Sequence, residues 1–330
     1  MSRPTGEMID VSVIVPAYNR PEFLPACMES ILNQDRSARI EILCVDDGSP
    51  NDPFADLPDP VPDHVRLFRK INEGVSAARR YAYQRAQGRY IAFNDDDDLW
   101  LPGKLEVQMD FLERHPEIDM IFSDLRAFND EGDDLQTYYD PHRPILTSLG
   151  ERLTSTDLPI YRFAPGKLIG PIMANMTMFF QTVLVRRALI DKIGGIHPFA
   201  RSAAECTDFG LRTAHFGKLA YLDQPTFRLR RGHVHEIARS DWLERELKEF
   251  ALIHPNYPCS LRRAIAPWMG YRLANKGWRH FKHGDYRAAA AAYRDAASQG
   301  PIGNRSRLKW LLARLFSMLG MRGGDHAPTG

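Results

Sequence analysis

Four short runs rich in β-branched and aromatic residues, 11–16 (VSVIVP), 40–45 (IEILCV), 65–70 (VRLFRK) and 90–94 (YIAFN), each end in turn-forming or polar residues. They read as buried strands. Residues 22–33 and 75–87 have helical composition and lie between them, so strands and helices alternate. That alternation predicts an α/β fold with a largely parallel sheet flanked by helices. The stretch 50–63 departs from the pattern. Its five prolines, Pro50, Pro53, Pro58, Pro60 and Pro62, forbid a full crossover helix.

With 330 residues, the chain exceeds what one compact domain needs, and its composition turns helical and alanine-rich from Asp241 onward. The expected division is a main domain over 1–240 and a helical region over 241–330. A formal net charge of +1 excludes a global basic field, so nucleic acid is not the expected partner. The four cysteines, Cys27, Cys44, Cys206 and Cys259, are widely spaced and form no CxxC pair, which suggests neither a zinc site nor a disulfide framework and points to a reducing, cytoplasmic compartment. Residues 1–10 carry no apolar signal core, and no later stretch reaches the length of a membrane span. Any membrane contact is therefore expected to be peripheral.

In open parallel sheets, ligands bind beyond the carboxyl ends of the strands, where loops and helix N-termini gather. That rule brings Tyr18, Asp46 and Asp47, Asn72, and Asp95–Asp98 to one edge. The strongest local signal is Asn94-Asp95-Asp96-Asp97-Asp98-Leu99-Trp100. Two carboxylates ~6 Å apart at an effective dielectric of ~20 repel by about 3 kcal/mol, so such a cluster calls for a cation or raised pKa values. Hard oxygen ligands suit Mg²⁺ or Mn²⁺. The competing reading is an acidic helix cap, with Asp98 ahead of Leu101-Pro102. Asp46-Asp47-Gly48-Ser49 reads either as a plain turn or as a nucleobase contact in which Gly48 admits close backbone approach. Residues 72–79 (NEGVSAAR) open a helix with small residues; either the free N–H groups and Arg79 face a diphosphate, or Gly74, Ala77 and Ala78 serve close packing and Arg79 lies at the surface. There is no GxGxxG after the first strand and no GxxxxGK[ST], so dinucleotide and P-loop readings lose their support.

The order VIVPAYNR, VDDGS, NEGVSAAR, FNDDDDLW with Pro102, GKLAYLD and RLRRGH resembles that of family 2 glycosyltransferases over roughly residues 11–235. The resemblance implies a GT-A fold and inverting transfer from a nucleoside-diphosphate-sugar, a UDP-sugar being favoured, with Mn²⁺ or Mg²⁺. It further implies that Pro16, Tyr18 and Asp47 hold the nucleobase, that Asp95 or Asp96 holds the ribose, and that Asp97 is the metal ligand. Asn72 and Arg79 complete the donor-binding set, and His233 would reach the metal-bound diphosphate, with Arg228, Arg230 and Arg231 as alternative phosphate partners. On the acceptor side the family carries a Glu-Asp pair whose second acid is the general base. Residues 203–212 (AAECTDFGLR) depart from this, placing Cys206 where the aspartate is expected. A thiol with an ordinary pKa of about 8.5 is a poor base at neutral pH, which leaves Glu205 as first choice and Asp208 as second. Either acid also fits a helix cap or a partner for Arg201 or Arg212.

Residues 277–301 resemble one tetratricopeptide-like helix pair, which cannot stack alone. Residues 308–319 (LKWLLARLFSML), flanked by Arg305, Arg307 and Arg322, are basic and amphipathic, permitting an interfacial membrane helix or core packing. The expected acceptor is a glycan or lipid-linked hydroxyl. The rival readings are a metal-dependent nucleotidyltransferase and a non-catalytic nucleotide-sugar-binding homologue.

Overall fold

The computed structural model describes residues 8–34, 38–58, 60–129, 132–174, 176–198, 204–231, 254–300 and 303–320. The chain divides into two compact units, Met1–Glu236 and Ile237–Gly330.

In the first unit, β1 (Val11–Ala17) is buried at all seven positions, as a strand covered on both faces must be. It pairs in parallel with β2 (Ile40–Asp46) on one side and β4 (Tyr90–Phe93) on the other, while β3 (Val65–Arg69) adds in parallel to β2. Pro16 is tolerated in this central strand because the β1–β4 ladder has already ended at Ile14–Phe93, so no donor is required there on that side. Helices α1 (Leu24–Leu32) and α2 (Val75–Tyr83) form the crossovers; the described residues of the proline-rich 50–63 stretch form turns and no helix. The sequence-read strands are thus parallel, as expected.

Beyond β4 the sheet becomes mixed. After β5 (Leu99–Trp100) and α3 (Lys104–Arg114) come β6 (Met120–Asn129), β7 (Gly132–Thr137), α4 (Arg143–Leu149), β8 (Glu151–Arg152), β9 (Ile160–Phe163) and α5 (Ile169–Met173). A 3₁₀ turn (Phe180–Thr182) then leads into β10 (Val183–Arg186), followed by α6 (Arg187–Lys192), α7 (Glu205–Phe216) and β11 (Leu219–Arg230). The order across the sheet is β3-β2-β1-β4-β10-β6-β11-β9-β8. Strand β10 runs antiparallel to both β4 and β6, whereas β6 and β11 are parallel. The two-residue β5 pairs with β11 through Leu99–Arg228 and Trp100–Phe227, so the acidic run is tied to the sheet at both ends.

In the second unit, α8 (Cys259–Lys282) and α9 (Tyr286–Ser298) form a hairpin turned at Gly284, whose φ of 72° suits glycine. Asp285 caps α9 by accepting from the Ala288 N–H at 3.0 Å. Gly277 admits the Tyr293 ring: an added Cβ would lie 3.1 Å from it. The third helix, α10 (Asn304–Met318), supplies the packing partner that a lone helix pair lacks, with Trp310 against a core of Ala274, Tyr293 and Ala296. Among the described residues no helix is long and apolar enough to cross a membrane.

Candidate active site

The loops at the carboxyl ends of β1, β2 and β4 are stitched together by side-chain acceptors. The Tyr18 N–H donates to Asp96 Oδ2 at 3.0 Å, and the Asn19 N–H donates to Ser49 Oγ at 2.8 Å. Asn19 adopts a φ of 54°, a conformation asparagine tolerates better than most residues. Tyr18 remains 41% exposed, with its ring available for a planar ligand.

The four carboxylates are held in two pairs, Asp96 with Asp97 on Arg20 and Asp95 with Asp98 on Gln181. Asp95 pairs with Arg79 Nη2 and accepts from Gln181 Nε2 at 2.6 Å. Asp96 and Asp97 share the Arg20 guanidinium, at 3.2 and 2.6 Å. Asp98 accepts from Gln181 Nε2 at 2.8 Å and from the Arg230 N–H at 2.9 Å. Burial pushes the Asp96 carboxyl up to about 7 despite Arg20, and burial together with the Asp97 charge raises Asp98 well above the usual range. Burial works against the charge of Arg20, but Asp97 and Asp96 outweigh it and hold the guanidinium above its ordinary value. The helix-cap reading of Asp98 is corrected: α3 begins at Lys104, with Gly103 at its cap and no side-chain cap bond, because residues 99–100 are held in β5. Among the described residues no three His, Cys, Asp or Glu side chains gather as a metal-holding cluster.

Asp46 and Asp47 have separate tasks. Asp46 accepts from the Ser49 N–H at 2.9 Å and faces Arg69 Nε at 3.0 Å, closing its own turn. Asp47 reaches across to the loop after β3, accepting from Lys70 Nζ at 2.8 Å, the Glu73 N–H at 3.1 Å and the Gly74 N–H at 2.6 Å. Gly48, at a φ of 79°, is approached by that same loop: a Cβ there would meet the Asn72 nitrogen at 2.7 Å. Gly48, Ser49, Arg69, Lys70, Ile71 and Asn72 line an open cleft beside these bonds.

Arg79 does not lie at the surface or face an open donor edge. It is 2% exposed, bridges Asp95 to Glu205 Oε1 (2.7 Å), and stacks over Phe180 at 4.6 Å. Burial opposes its charge, but Asp95 and Glu205 outweigh that cost and raise its pKa. Glu205 opens α7 and also accepts from Ser76 Oγ, so both its oxygens are oriented by α2. Burial, then the neighbouring Glu205 charge, pushes the Cys206 thiol up to about 12, leaving it protonated at neutral pH. Asp208 is turned into the fold: Arg212 Nε lies 3.0 Å from Oδ2, and His197 Nδ1 lies 3.1 Å from Oδ1. Arg212 in turn donates to the Ile193 and Gly195 carbonyls at 2.9 and 2.7 Å. Burial disfavours the Asp208 charge, yet His197 and Arg212 hold its pKa below the ordinary value. The structure therefore joins Glu205 to the acidic run through Arg79 and puts Asp208 in a separate ion pair. His233 lies outside the described residues.

Sequence reasoning missed Arg20, Ser76 and Gln181. Gln181 leaves a readable trace as the lone amide in an apolar run, MFFQTVLV. Arg20 and Ser76 sit inside quoted motifs, but their partners are 77 and 129 residues away.

The profile of glycosyl transferase family 2 matches residues 12–186, more than half of the chain. An uncharacterized glycosyltransferase of Rickettsia felis is 43% identical over 115 residues, covering 34% of this chain and 18% of that protein. The minor teichoic acid biosynthesis protein GgaB of Bacillus subtilis is 38% identical over 117 residues, covering 34% and 13%. The Escherichia coli UDP-Glc:alpha-D-GlcNAc-diphosphoundecaprenol beta-1,3-glucosyltransferase WfgD is 35% identical over 102 residues, covering 31% and 40%. The matched stretch thus spans less than a fifth of the Rickettsia relative's length. Among solved structures, S. aureus TarS superposes with a TM-score of 0.59 at 18% identity, covering 94% of this chain and 53% of TarS. TarS 1–349 in complex with UDP-GlcNAc superposes with a TM-score of 0.55 at 14% identity, covering 94% and 92%. At these identities the likeness is one of fold, and it bears out the GT-A type sheet with a helical tail. The chain belongs to glycosyl transferase family 2.

Proposed function

We propose that the chain is an inverting glycosyltransferase that moves a sugar from a nucleoside-diphosphate-sugar to a hydroxyl of a glycan or lipid-linked acceptor. Its setting is polysaccharide or glycolipid assembly at the cytoplasmic side of a membrane. The observation that carries this reading is the stitched edge, where Asp96 and Ser49 fasten the Tyr18–Asn19 loop across three strand ends. The biosynthetic names of GgaB and WfgD support it, and the complexes of TarS with UDP-GlcNAc and UDP favour a UDP-sugar donor.

In this reading the exposed Tyr18 ring and Pro16 flank the nucleobase. The bonds to Lys70, Glu73 and Gly74 leave one acceptor position on Asp47 Oδ2 for a base N–H. Asn72 borders the same cleft. Asp95, whose side chain is 28% exposed, is better placed than the buried Asp96 to meet the ribose. Arg79 acts by orienting Asp95 and Glu205, not by touching the diphosphate.

Asp97 is the protein ligand assigned to a Mg²⁺ or Mn²⁺ ion, with His233 as a further contact. Hard carboxylate oxygens fit such an ion, which keeps much of its coordination for water and phosphate and so needs no cage of three side chains. When bound, the ion supplies positive charge for the departing diphosphate. Glu205 takes the proton from the acceptor hydroxyl as that oxygen attacks the anomeric carbon opposite the leaving group, which inverts its configuration. The protonated Cys206 beside it favours, as a second reading, a homologue that binds donor without turnover.

A panel of nucleotide-sugars, assayed with and without Mn²⁺ or Mg²⁺ and across several acceptors, tests the proposal. Release of a nucleoside diphosphate with a new glycosidic bond is expected. Release of pyrophosphate would make the chain a nucleotidyltransferase, and donor binding with no transfer to any acceptor would favour the non-catalytic reading.

A further inference from the structure

Helix α10 carries two apolar faces, and packing accounts for only one of them. The inner face is fixed by Ala313, which is fully buried, and by Trp310 and Phe316, which meet the α8–α9 hairpin through Tyr293, Phe281 and Tyr286. At about 100° per residue, the side opposite Ala313 presents Leu308, Leu311, Leu315, Met318 and Leu319 within an arc of roughly 100°. These five are 50–73% exposed. A helix that served only the core of this unit would carry polar residues there.

The charges bordering this second face have one sign. Arg305 lies on one edge of the arc and Arg307 and Arg314 on the other, all exposed, and residues 303–320 contain no Asp or Glu. Arginines flanking an apolar arc on both sides can extend their stems over it and keep their guanidinium groups at the depth of lipid phosphates. Such an arrangement fits a helix lying flat in the headgroup region; at 15 residues it is about 22 Å long.

We propose that the outer face of α10 docks this protein on an anionic bilayer. The four leucines and Met318 enter the boundary of the acyl chains while the arginines meet lipid phosphate groups. The inference is independent of the sugar-transfer reading, since it rests on residues of the second unit alone. If both hold, docking brings the catalytic unit to the surface where a lipid-linked acceptor resides.

The test is co-sedimentation of the full chain with phosphatidylcholine vesicles containing phosphatidylglycerol, against vesicles of phosphatidylcholine alone. Binding to the anionic vesicles is expected, weakening as salt rises from about 0.1 M to about 0.5 M. The double variant Leu311→Glu/Leu315→Glu should lose at least about tenfold in apparent affinity, and Arg307→Gln/Arg314→Gln a comparable factor on anionic vesicles only. Circular dichroism and donor-binding measurements on the same samples verify that the variants are folded. Equal sedimentation of wild type and both variants, or none by any of them, overturns the proposal. So does a concentration-dependent oligomer that the leucine variant dissolves without any vesicle binding, because the face would then be an interface between copies.

Discussion

Replacing Arg79 with methionine keeps most of its volume and removes the cation that joins the acidic run to Glu205. The guanidinium side chain is 2% exposed, Glu205 is 9% exposed, and Asp95 is 28% exposed. Removing one member of a buried ion pair typically costs about 3–5 kcal/mol, because the remaining charge stays desolvated. The Asp95 share must be discounted, since solvent reaches that carboxylate and Gln181 Nε2 still donates to it at 2.6 Å. Glu205 keeps its bond from Ser76, and loss of the stacking over Phe180 adds about 1 kcal/mol. A net destabilisation of about 3–4 kcal/mol is therefore expected, equivalent to a Tm lowered by roughly 8–15 °C for a unit of this size. Denaturant titration and calorimetry of the full chain measure it, following the transition of the larger unit. Arg79→Lys should recover only part of the loss, because an ammonium is a point charge that cannot span two carboxylates. A loss below about 1 kcal/mol for Arg79→Met, accompanied by a large loss of donor affinity, would refute the bridge and return Arg79 to the diphosphate.

Glu205→Gln should lower turnover by about 10²–10⁴-fold with donor affinity nearly unchanged, and Cys206→Ser should cost much less; steady-state kinetics with direct donor titration decide this. If Asp208→Asn instead abolishes turnover in a folded protein, the base lies one helical turn along α7. Asp97→Ala should abolish metal-dependent binding of nucleoside diphosphates in calorimetric titrations without unfolding the chain, and equal affinity with and without the substitution would remove Asp97 from that role. Lys104 is fully buried, with Nζ 2.9 Å from Gln108 Oε1, and burial lowers its pKa to about 7. Between that value and about 10 the unfolded chain holds a proton that the native Lys104 does not, so stability rises with pH across this window and is lost as pH falls through about 7. The difference between wild type and Lys104→Met in denaturant titrations should therefore change by up to about 1.4 kcal/mol per pH unit between pH ~7 and ~10; parallel pH profiles would contradict it.

In the half of the sheet built from β1 to β4, the strands β1, β2 and β4 were legible because strands covered on both faces are mostly apolar along their length. The partly exposed edge strand β3 was legible by its β-branched and aromatic residues. The short strands that follow were not. β9 and β10 are four residues each and β5 is two, lengths at which periodicity has nothing to repeat. The alternative of Asp98 as a cap arose in the same way: Leu99-Trp100 looks like the approach to a helix until its pairing with Phe227 and Arg228, over 120 residues away, is known. Gly48 shows a different limit. Close approach at Gly48 was readable, but the group that approaches is the backbone of Asn72 in the same chain.

The acidic run makes the same point in energetic terms. Four adjacent carboxylates set how much compensation the fold must supply, and that amount could be reasoned from Coulomb repulsion alone. Its kind could not. Asp95 is answered by Arg79, and Asp96 and Asp97 share Arg20. Asp98 is buried against neutral donors with its pKa raised, and Asp96 is pushed up to about 7. The repulsion is thus relieved by two guanidinium groups, while burial shifts Asp96 and Asp98 toward the neutral form, before any ion or donor is considered. A metal held at Asp97 therefore has to compete with Arg20, whose side chain is 34% exposed and contacts Asp97 at 2.6 Å. An arginine that accessible can swing aside toward solvent at modest cost, whereas the fully buried Arg79 cannot. If Mg²⁺ or Mn²⁺ binds at this edge, its affinity is accordingly expected to be weak in the free protein and to rise with a donor diphosphate, which would offer both further oxygen ligands and a new partner for the displaced Arg20.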